Sequence, residues 1–276
     1  WWKDIATINS FILQGKYYVA RNHHSQYAIF HIDKPDQPIS QWWKYIRAHG
    51  LRQEESEYYL AQDQDSKWAI FHINNPYQPI SRWWRDILPD GLLQGQSNYY
   101  MVIERMGQAI FHKDNPYEPV SQWWDDIDTY GVVNNQSEYY LAQNQHGKWA
   151  IFHIEYPYEP ISNWWDYIYP TGLINGISDC YAVTEKDKPA IKIYHYSDMS
   201  QPIYTLTNVY KDALLYFNDR IAVYLTQKHV MIYDNIKMQH NIIGNLSENM
   251  QEMIKLIYKN DEEGPVCCIN PMTGKL

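Results

Sequence analysis

The chain has 276 residues, 45% hydrophobic and 16% aromatic, with a formal net charge of -9. This composition excludes a disordered polymer and leaves enough apolar side chains for a large core. The acidic balance argues against nucleic acid or an anionic membrane as partner, since both need a basic face. No apolar run approaches the roughly 18 residues of a membrane span, the first residues, WWKDIATINS, lack a signal-peptide pattern, and Cys180, Cys267 and Cys268 do not make a disulfide framework.

The sequence opens on Trp1-Trp2, and this pair returns at Trp42-Trp43, Trp83-Trp84, Trp123-Trp124 and Trp164-Trp165, a period of 40 or 41 residues. Trp68 and Trp149 occupy a second repeated position, so all twelve tryptophans belong to the repeat. A period in this range marks stacked supersecondary units. The start in mid-repeat, without an initiator methionine, fits two expectations: a piece of a longer protein with repeats upstream, or a partial unit that completes the last one in a closed ring.

Within a unit, Tyr139 to Ile154 places Asn144, Gln145, His146 and Gly147 between two aromatic and branched-aliphatic runs, which predicts a β-hairpin with a loop of three to five residues. The run Trp149 to Ile154 is apolar on both faces and needs cover on both. Pro157-Tyr158-Glu159-Pro160 follows as a turn, because prolines fix φ and interrupt a ladder. Ile161, Trp164, Trp165 and Ile168 then fall at i, i+3, i+4 and i+7, which predicts a short helix capped by Ser162 and stopped at Gly172. Gly50, Gly91 and Gly131 hold the corresponding stop positions.

The copying degrades from Cys180. Hairpin patterns continue in CYAVTEKDKPAIKIYHY and IAVYLTQKHVMIYDN, giving six in all, while the tryptophan pair becomes Val209-Tyr210 and then disappears. Asn245 with Glu248 matches a capping box, and Leu246, Met250, Met253, Ile254 and Ile257 give a helical apolar face. The expected organisation is a regular array over 1–179, degenerate terminal repeats over 180–244, and a capping helix with tail over 245–276. The fold class is mainly β, a propeller-like array of five to six blades with a short helix or 3-10 turn per repeat. An open ββα solenoid is the alternative.

Lys148-Trp149-Ala150-Ile151, a Pro-Ile-Ser turn, Trp165-Asp166-Tyr167-Ile168 and Gly172-Leu173 together resemble the bacterial WG or KWG repeat. The likeness covers residues 1 to 179 well and 180 to 235 poorly. It departs from the family in carrying Ala28, Ala69, Ala109 and Ala150 in place of glycine, and in doubling the tryptophan. The resemblance implies β-propeller-like modules that serve as binding scaffolds appended to other domains, rather than an enzyme.

Four groups of residues bear on chemistry. His31, His72, His112 and His153 recur once per unit and would converge on an axis in a closed ring, but apolar neighbours on a covered strand favour packing over metal binding. The tryptophan pairs, with Tyr58-Tyr59, Tyr99-Tyr100 and Tyr139-Tyr140, offer aromatic faces suited to sugar rings, with avidity from repetition. Asp86, Asp125, Asp126 and Asp166 follow the pairs, yet Lys44, Arg85 and Asp125 share one repeat position, as solvated charges do. Cys267-Cys268 lacks partners for metal or nucleophilic chemistry.

Phosphate loops, nucleophile elbows, zinc helices and calcium loops are absent from the sequence. The expectation is a non-enzymatic binding module without catalytic residues, cofactor or metal, its partner a protein. A multivalent carbohydrate-binding propeller is the alternative. The hairpin loops Asn22 to Gln26, Gln62 to Ser66, Glu104 to Gly107 and Gln143 to Gly147 vary most between units. Candidate contact residues are therefore Asn22, Asp65, Glu104 and His146 on the loops, with Trp43, Trp84, Trp124 and Trp165 from the pairs.

Overall fold

The computed structural model describes residues 15–186, 188–209, 211–226, 228–245 and 247. The chain divides into two compact units, one ending at Ser162 and one beginning at Asn163. The described residues form six small antiparallel, blade-like sheets, one per hairpin of the repeat.

Four sheets belong to the first unit. They comprise Tyr17–Arg21, Tyr27–His31 and Lys34–Pro38; Tyr45–Arg47, Tyr58–Gln62 and Trp68–His72; Asp86–Leu88, Tyr99–Glu104 and Gly107–His112; and Asp126–Asp128, Tyr139–Gln143 and Trp149–His153. In the second sheet the hairpin register pairs Tyr58 with His72, Leu60 with Ile70 and Gln62 with Trp68. The loops close where polar residues predict. Asn144 Oδ1 accepts the N–H groups of His146 and Lys148, and Gly147 takes φ 72 to reverse the chain. Asn22 does the same for His24 and Gln26, with Ser25 at φ 63.

Both faces of the hairpins are covered, as their two-sided apolar pattern requires. Tyr18-Phe30, Tyr59-Phe71, Tyr100-Phe111 and Tyr140-Phe152 stack across strands with ring planes within 19° of parallel. The tryptophan pairs then join one repeat to the next. Trp83 packs on Phe71 of its own repeat at 5.9 Å, while Trp43 of the preceding repeat reaches the same Phe71 at 5.1 Å and Trp83 at 5.7 Å. Trp84, Phe111 and Trp123 repeat the arrangement one unit on. Each such side chain contributes about 1.5–3 kcal/mol on burial, so the pairs act as the glue between repeats.

The helix expected at the tryptophan pairs does not form. Trp43 is extended, its N–H bonding the Tyr27 carbonyl at 2.8 Å and its carbonyl accepting from Tyr27 at 2.8 Å; Trp84 and Trp124 pair likewise with Trp68 and Gln108. The chain then passes directly into the first strand of the following sheet at Tyr45–Arg47, Asp86–Leu88 or Asp126–Asp128. Extended backbone sends consecutive indoles to opposite faces, one to each neighbouring sheet. A helix would aim both at one stripe.

Ser162 is accordingly a strand residue's partner rather than a helix cap. The hydroxyls of Ser40, Ser81, Ser121 and Ser162 accept the N–H groups of Ile29, Ile70, Ile110 and Ile151 at 2.9–3.0 Å. In each repeat the residue before the serine donates its own N–H to the same isoleucine's carbonyl. A side chain thus completes the ladder at a buried edge, where an unpaired N–H is costly.

The short helices come later, at His49–Gln53, Asp90–Leu93 and Tyr130–Val133, with Gly50, Gly91 and Gly131 inside them rather than ending them. A Cβ on Gly50 would lie 1.6 Å from the Leu93 carbonyl oxygen, and one on Gly91 1.6 Å from that of Val133. Glycine is required there for the close approach of the following repeat's helix. The left-handed stop falls instead at Glu54, Gly95 and Asn135, with φ between 55 and 68. Gly172, at φ 90, does reverse the chain, in a stretch without a helix.

In the second unit both sheets have four strands: Tyr167–Ile168, Cys180–Thr184, Ala190–His195 and Tyr204–Thr207; then Leu214–Phe217, Ile221–Leu225, His229–Asp234 and Gln239–Asn245. Its core gathers Tyr169, Cys180, Ile191, Ile193, Tyr204, Leu206, Val209, Phe217 and Tyr233, with aliphatic and tyrosine side chains in place of the indoles. Asn245 ends the last strand. Trp1-Trp2, Tyr210, the expected capping helix and Cys267-Cys268 lie outside the described residues.

Candidate functional site

None of the ten described tryptophans is exposed. Trp68 and Trp84 are buried, at 7% and 9%, and the rest are half-buried. Trp43, Trp84 and Trp124 lie against Phe71, Phe111 and Phe152, and Trp165 against Tyr194 with Lys192 Nζ 5.3 Å from its ring. The indole N–H groups of Trp43, Trp84 and Trp165 are buried without a hydrogen-bond partner. The four candidate tryptophans therefore spend much of their surface on packing at repeat junctions, Trp84 buried and Trp43, Trp124 and Trp165 half-buried.

The candidate loop residues divide into two kinds. Asp65 and His146 are exposed at hairpin tips. Asn22 spends its carboxamide oxygen closing its own loop, and Glu104 Oε1 accepts the Arg85 N–H at 2.8 Å, tying a hairpin loop to the backbone just beyond Trp84. The carboxylates after the pairs are similarly engaged: Asp86 and Asp126 cap the following N–H, and Asp166 accepts from Lys186. These residues build turns.

Each repeated histidine has a structural post. Nδ1 of His31, His72, His112 and His153 accepts the N–H two residues on, at 3.2–3.3 Å, which fixes the proton on Nε2. Nε2 of His72 faces Glu57 at 3.0 Å, and that of His153 faces Glu138 at 3.2 Å. Tyr17, Tyr58, Tyr99 and Tyr139 each meet their histidine edge to face. Among the described residues no group of three or more His, Cys, Asp or Glu side chains converges as a metal site. A cleft of about 480 Å³ opens between Tyr17, Leu51, Glu54, Tyr58, Leu92 and Lys113, and Lys113 Nζ already lies 5.6 Å from the Tyr58 ring.

The repeated side chains that do face outward are ones the sequence pattern did not single out. Tyr77, Tyr117 and Tyr158 are 60%, 53% and 66% exposed. Each is the second residue of a Pro-Tyr-x-Pro turn. The turn is pinned from beneath, since the buried hydroxyls of Tyr59 and Tyr140 donate to the carbonyls of Pro76 and Pro157. Burial raises the pKa of both phenols, with a smaller push from the nearby Tyr77 and Tyr158 hydroxyls, so they remain protonated donors. The preceding repeat also meets the turn: Gln41 and Gln122 donate to the carbonyls of Tyr77 and Tyr158, while the Arg82 guanidinium lies 5.7 Å from the Tyr117 ring centroid. Three repeats thus present one aromatic ring each from a rigid, sheet-anchored turn. Bracketing prolines supplied the clue, because a segment lacking N–H donors cannot sit inside a sheet.

No helix among the described residues is long and apolar enough to cross a membrane. No protein-family model matches the sequence, and neither does any curated protein. Among solved structures the chain is similar to Hsv2 β-propeller proteins. It shares 10% identity with Hsv2p of Kluyveromyces lactis, over 82% of this chain and 73% of that one, with a TM-score of 0.36. A form of that protein with loop 6CD replaced by a Gly-Ser linker gives 9% identity over 87% and 81%, with a TM-score of 0.39. Hsv2 of Kluyveromyces marxianus gives 12% over 84% and 75%, with 0.37. At these TM-scores the likeness carries no inference, and the description of six antiparallel sheets rests on this chain's own strand pairing.

Proposed function

We propose that the chain is a non-enzymatic, repeat-based binding module whose partner is a protein. The observation that carries the reading is the row of Tyr77, Tyr117 and Tyr158, each more than half exposed on a proline-fixed turn. Large aromatic side chains held rigid in solvent lose little entropy on contact and are favoured anchors in protein interfaces. The repeated indoles, imidazoles and serine hydroxyls are meanwhile committed to packing and ladder bonds. Kinship with the bacterial WG repeats and a place in a larger bacterial protein remain part of this proposal through the residues that resemble them.

Carbohydrate binding is the second reading, and it now belongs to the exposed phenol rings instead of the tryptophans. A Y77A/Y117A/Y158A variant decides between the two. It should keep the wild-type melting curve, since the removed rings face solvent, while losing at least about tenfold of the retention of a specific protein in affinity capture from source cells. Equal retention by both forms contradicts the proposal. A glycan that binds wild type and not the variant would replace the protein partner with a sugar.

A further inference from the structure

Two of the turns that carry the exposed tyrosines also carry acid, and the third, Asn75-Pro76-Tyr77-Gln78-Pro79, is uncharged. Asp114 and Glu118 flank Tyr117, Glu155 and Glu159 flank Tyr158, and all four carboxylates are exposed. Lys113, which precedes Asp114, has its ammonium turned to Tyr58. With a net charge of -9 on the whole chain, the surface favours approach of a cationic partner.

One repeat shows what such a partner would do. Arg82 lies over Tyr117, a guanidinium held by an aromatic face beside carboxylates. The equivalent position is Gln41 beside Tyr77 and Gln122 beside Tyr158. These amides bond the tyrosine carbonyls, and among the described residues no cation lies over either ring. The array therefore offers two open rings, Tyr77 in an uncharged turn and Tyr158 between carboxylates, on either side of one that is already filled.

Building on the binding-module reading, we propose that the Pro-Tyr-x-Pro ridge takes an arginine-rich segment of the partner protein. Guanidinium groups stack on Tyr77 and Tyr158 as Arg82 does on Tyr117, and Glu118, Glu155 and Glu159 supply the opposing charge. Arginine is favoured over lysine because its planar, weakly hydrated head stacks on a ring and still forks to a carboxylate.

Fluorescence anisotropy with labelled nona-arginine, nona-lysine and a neutral Gly-Ser peptide on the full chain tests this. Nona-arginine should bind more tightly than nona-lysine, and the neutral peptide should not bind. The Y77L/Y158L variant should weaken nona-arginine binding about tenfold, with Y77F/Y158F staying within about twofold of wild type because the ring face is kept. E118Q/E159Q should lower the affinity and its salt dependence together. Unchanged affinity in Y77L/Y158L, or equal binding of nona-lysine, overturns the proposal and leaves only general attraction to an acidic surface. If that happens while Y77A/Y117A/Y158A still loses the captured protein, the partner is not cationic and the module reading stands. If the captured protein is also unaffected, both fall.

Discussion

The two units build the same hairpin with different side chains, and the residue eleven places after the central isoleucine shows why their sheets differ. In the first unit that residue is Ser40, Ser81, Ser121 or Ser162, whose hydroxyl takes the isoleucine N–H. In the fifth sheet it is Tyr204, which pairs with Ile193 through the backbone and continues as the strand Tyr204–Thr207. A serine ends the ladder early and lets the chain turn its tryptophans into the next repeat. Without it, a full fourth strand forms and the tryptophan pair is absent. The stacked cross-strand pair survives the change, as Tyr181 on Tyr194 with planes 11° apart in place of tyrosine on phenylalanine. Hairpin register is thus the invariant, and the indole junction goes with the repeats that carry the serine.

The sharpest way to break this comparison is at a junction. Phe111→Ala removes the ring shared by Trp84, Trp123 and Tyr100, and is expected to cost about 3–5 kcal/mol in denaturant unfolding of the first unit. The second unit has its own reporter. Burial raises the Cys180 thiol to about 12, so this residue should resist alkylation while that unit is folded. Peptide-level mass spectrometry of alkylated F111A should find Cys180 as protected as in wild type; parallel loss of protection would show that the two units unfold together.

Gly91→Ala is next. Its Cβ would meet the Val133 carbonyl oxygen, a backbone atom that cannot rotate away, and the expected cost is about 3 kcal/mol. Gly147→Ala, which has open space but a left-handed φ of 72, should cost only about 1 kcal/mol, so equal melting shifts for the two would refute close approach as the reason for glycine in the helix. Ser81→Ala should cost about 1–3 kcal/mol by leaving the buried Ile70 N–H unpaired, and urea midpoints would resolve it.

The smallest effect is a pH response in the second unit. Glu185 bonds Lys188 and Lys192, and those bonds lower its pKa to about 2. A carboxylate depressed in the folded state stabilises above its unfolded pKa, roughly 4.3, and that contribution is lost as pH falls toward 2. Glu185→Gln should lower stability slightly near neutrality, flatten the profile across this window and converge on wild type near pH 2, as melts at a series of pH values followed by circular dichroism would reveal.

Much of this architecture is legible in the sequence. Strands such as Tyr139–Gln143 and Trp149–His153 carry their own pattern, and Asn144 and Gly147 mark their turn. The tryptophan segment misleads because i, i+3, i+4 spacing also arises when two adjacent indoles straddle an extended chain. What decides between them is a backbone partner sixteen residues away, Tyr27 for Trp43 and Trp68 for Trp84, and local periodicity holds no record of it. Gly50 and Gly91 mislead similarly, since a stop signal and a close approach both select glycine. The ridge tyrosines escaped notice because tyrosine is common here, 26 in all, and most have a packing role. Their exposure follows from the flanking prolines.

The central claim is a division of labour: aromatic rings within the sheets hold the repeats, and aromatic rings on the proline turns meet the partner. Tyrosine nitration by tetranitromethane, mapped by mass spectrometry on the free chain and on its complex with the captured protein, tests both halves. Tyr77, Tyr117 and Tyr158 should be nitrated in the free chain and protected in the complex, while the buried Tyr59, Tyr100 and Tyr140 stay unmodified in both. Turn tyrosines that react equally with and without the partner would contradict the account.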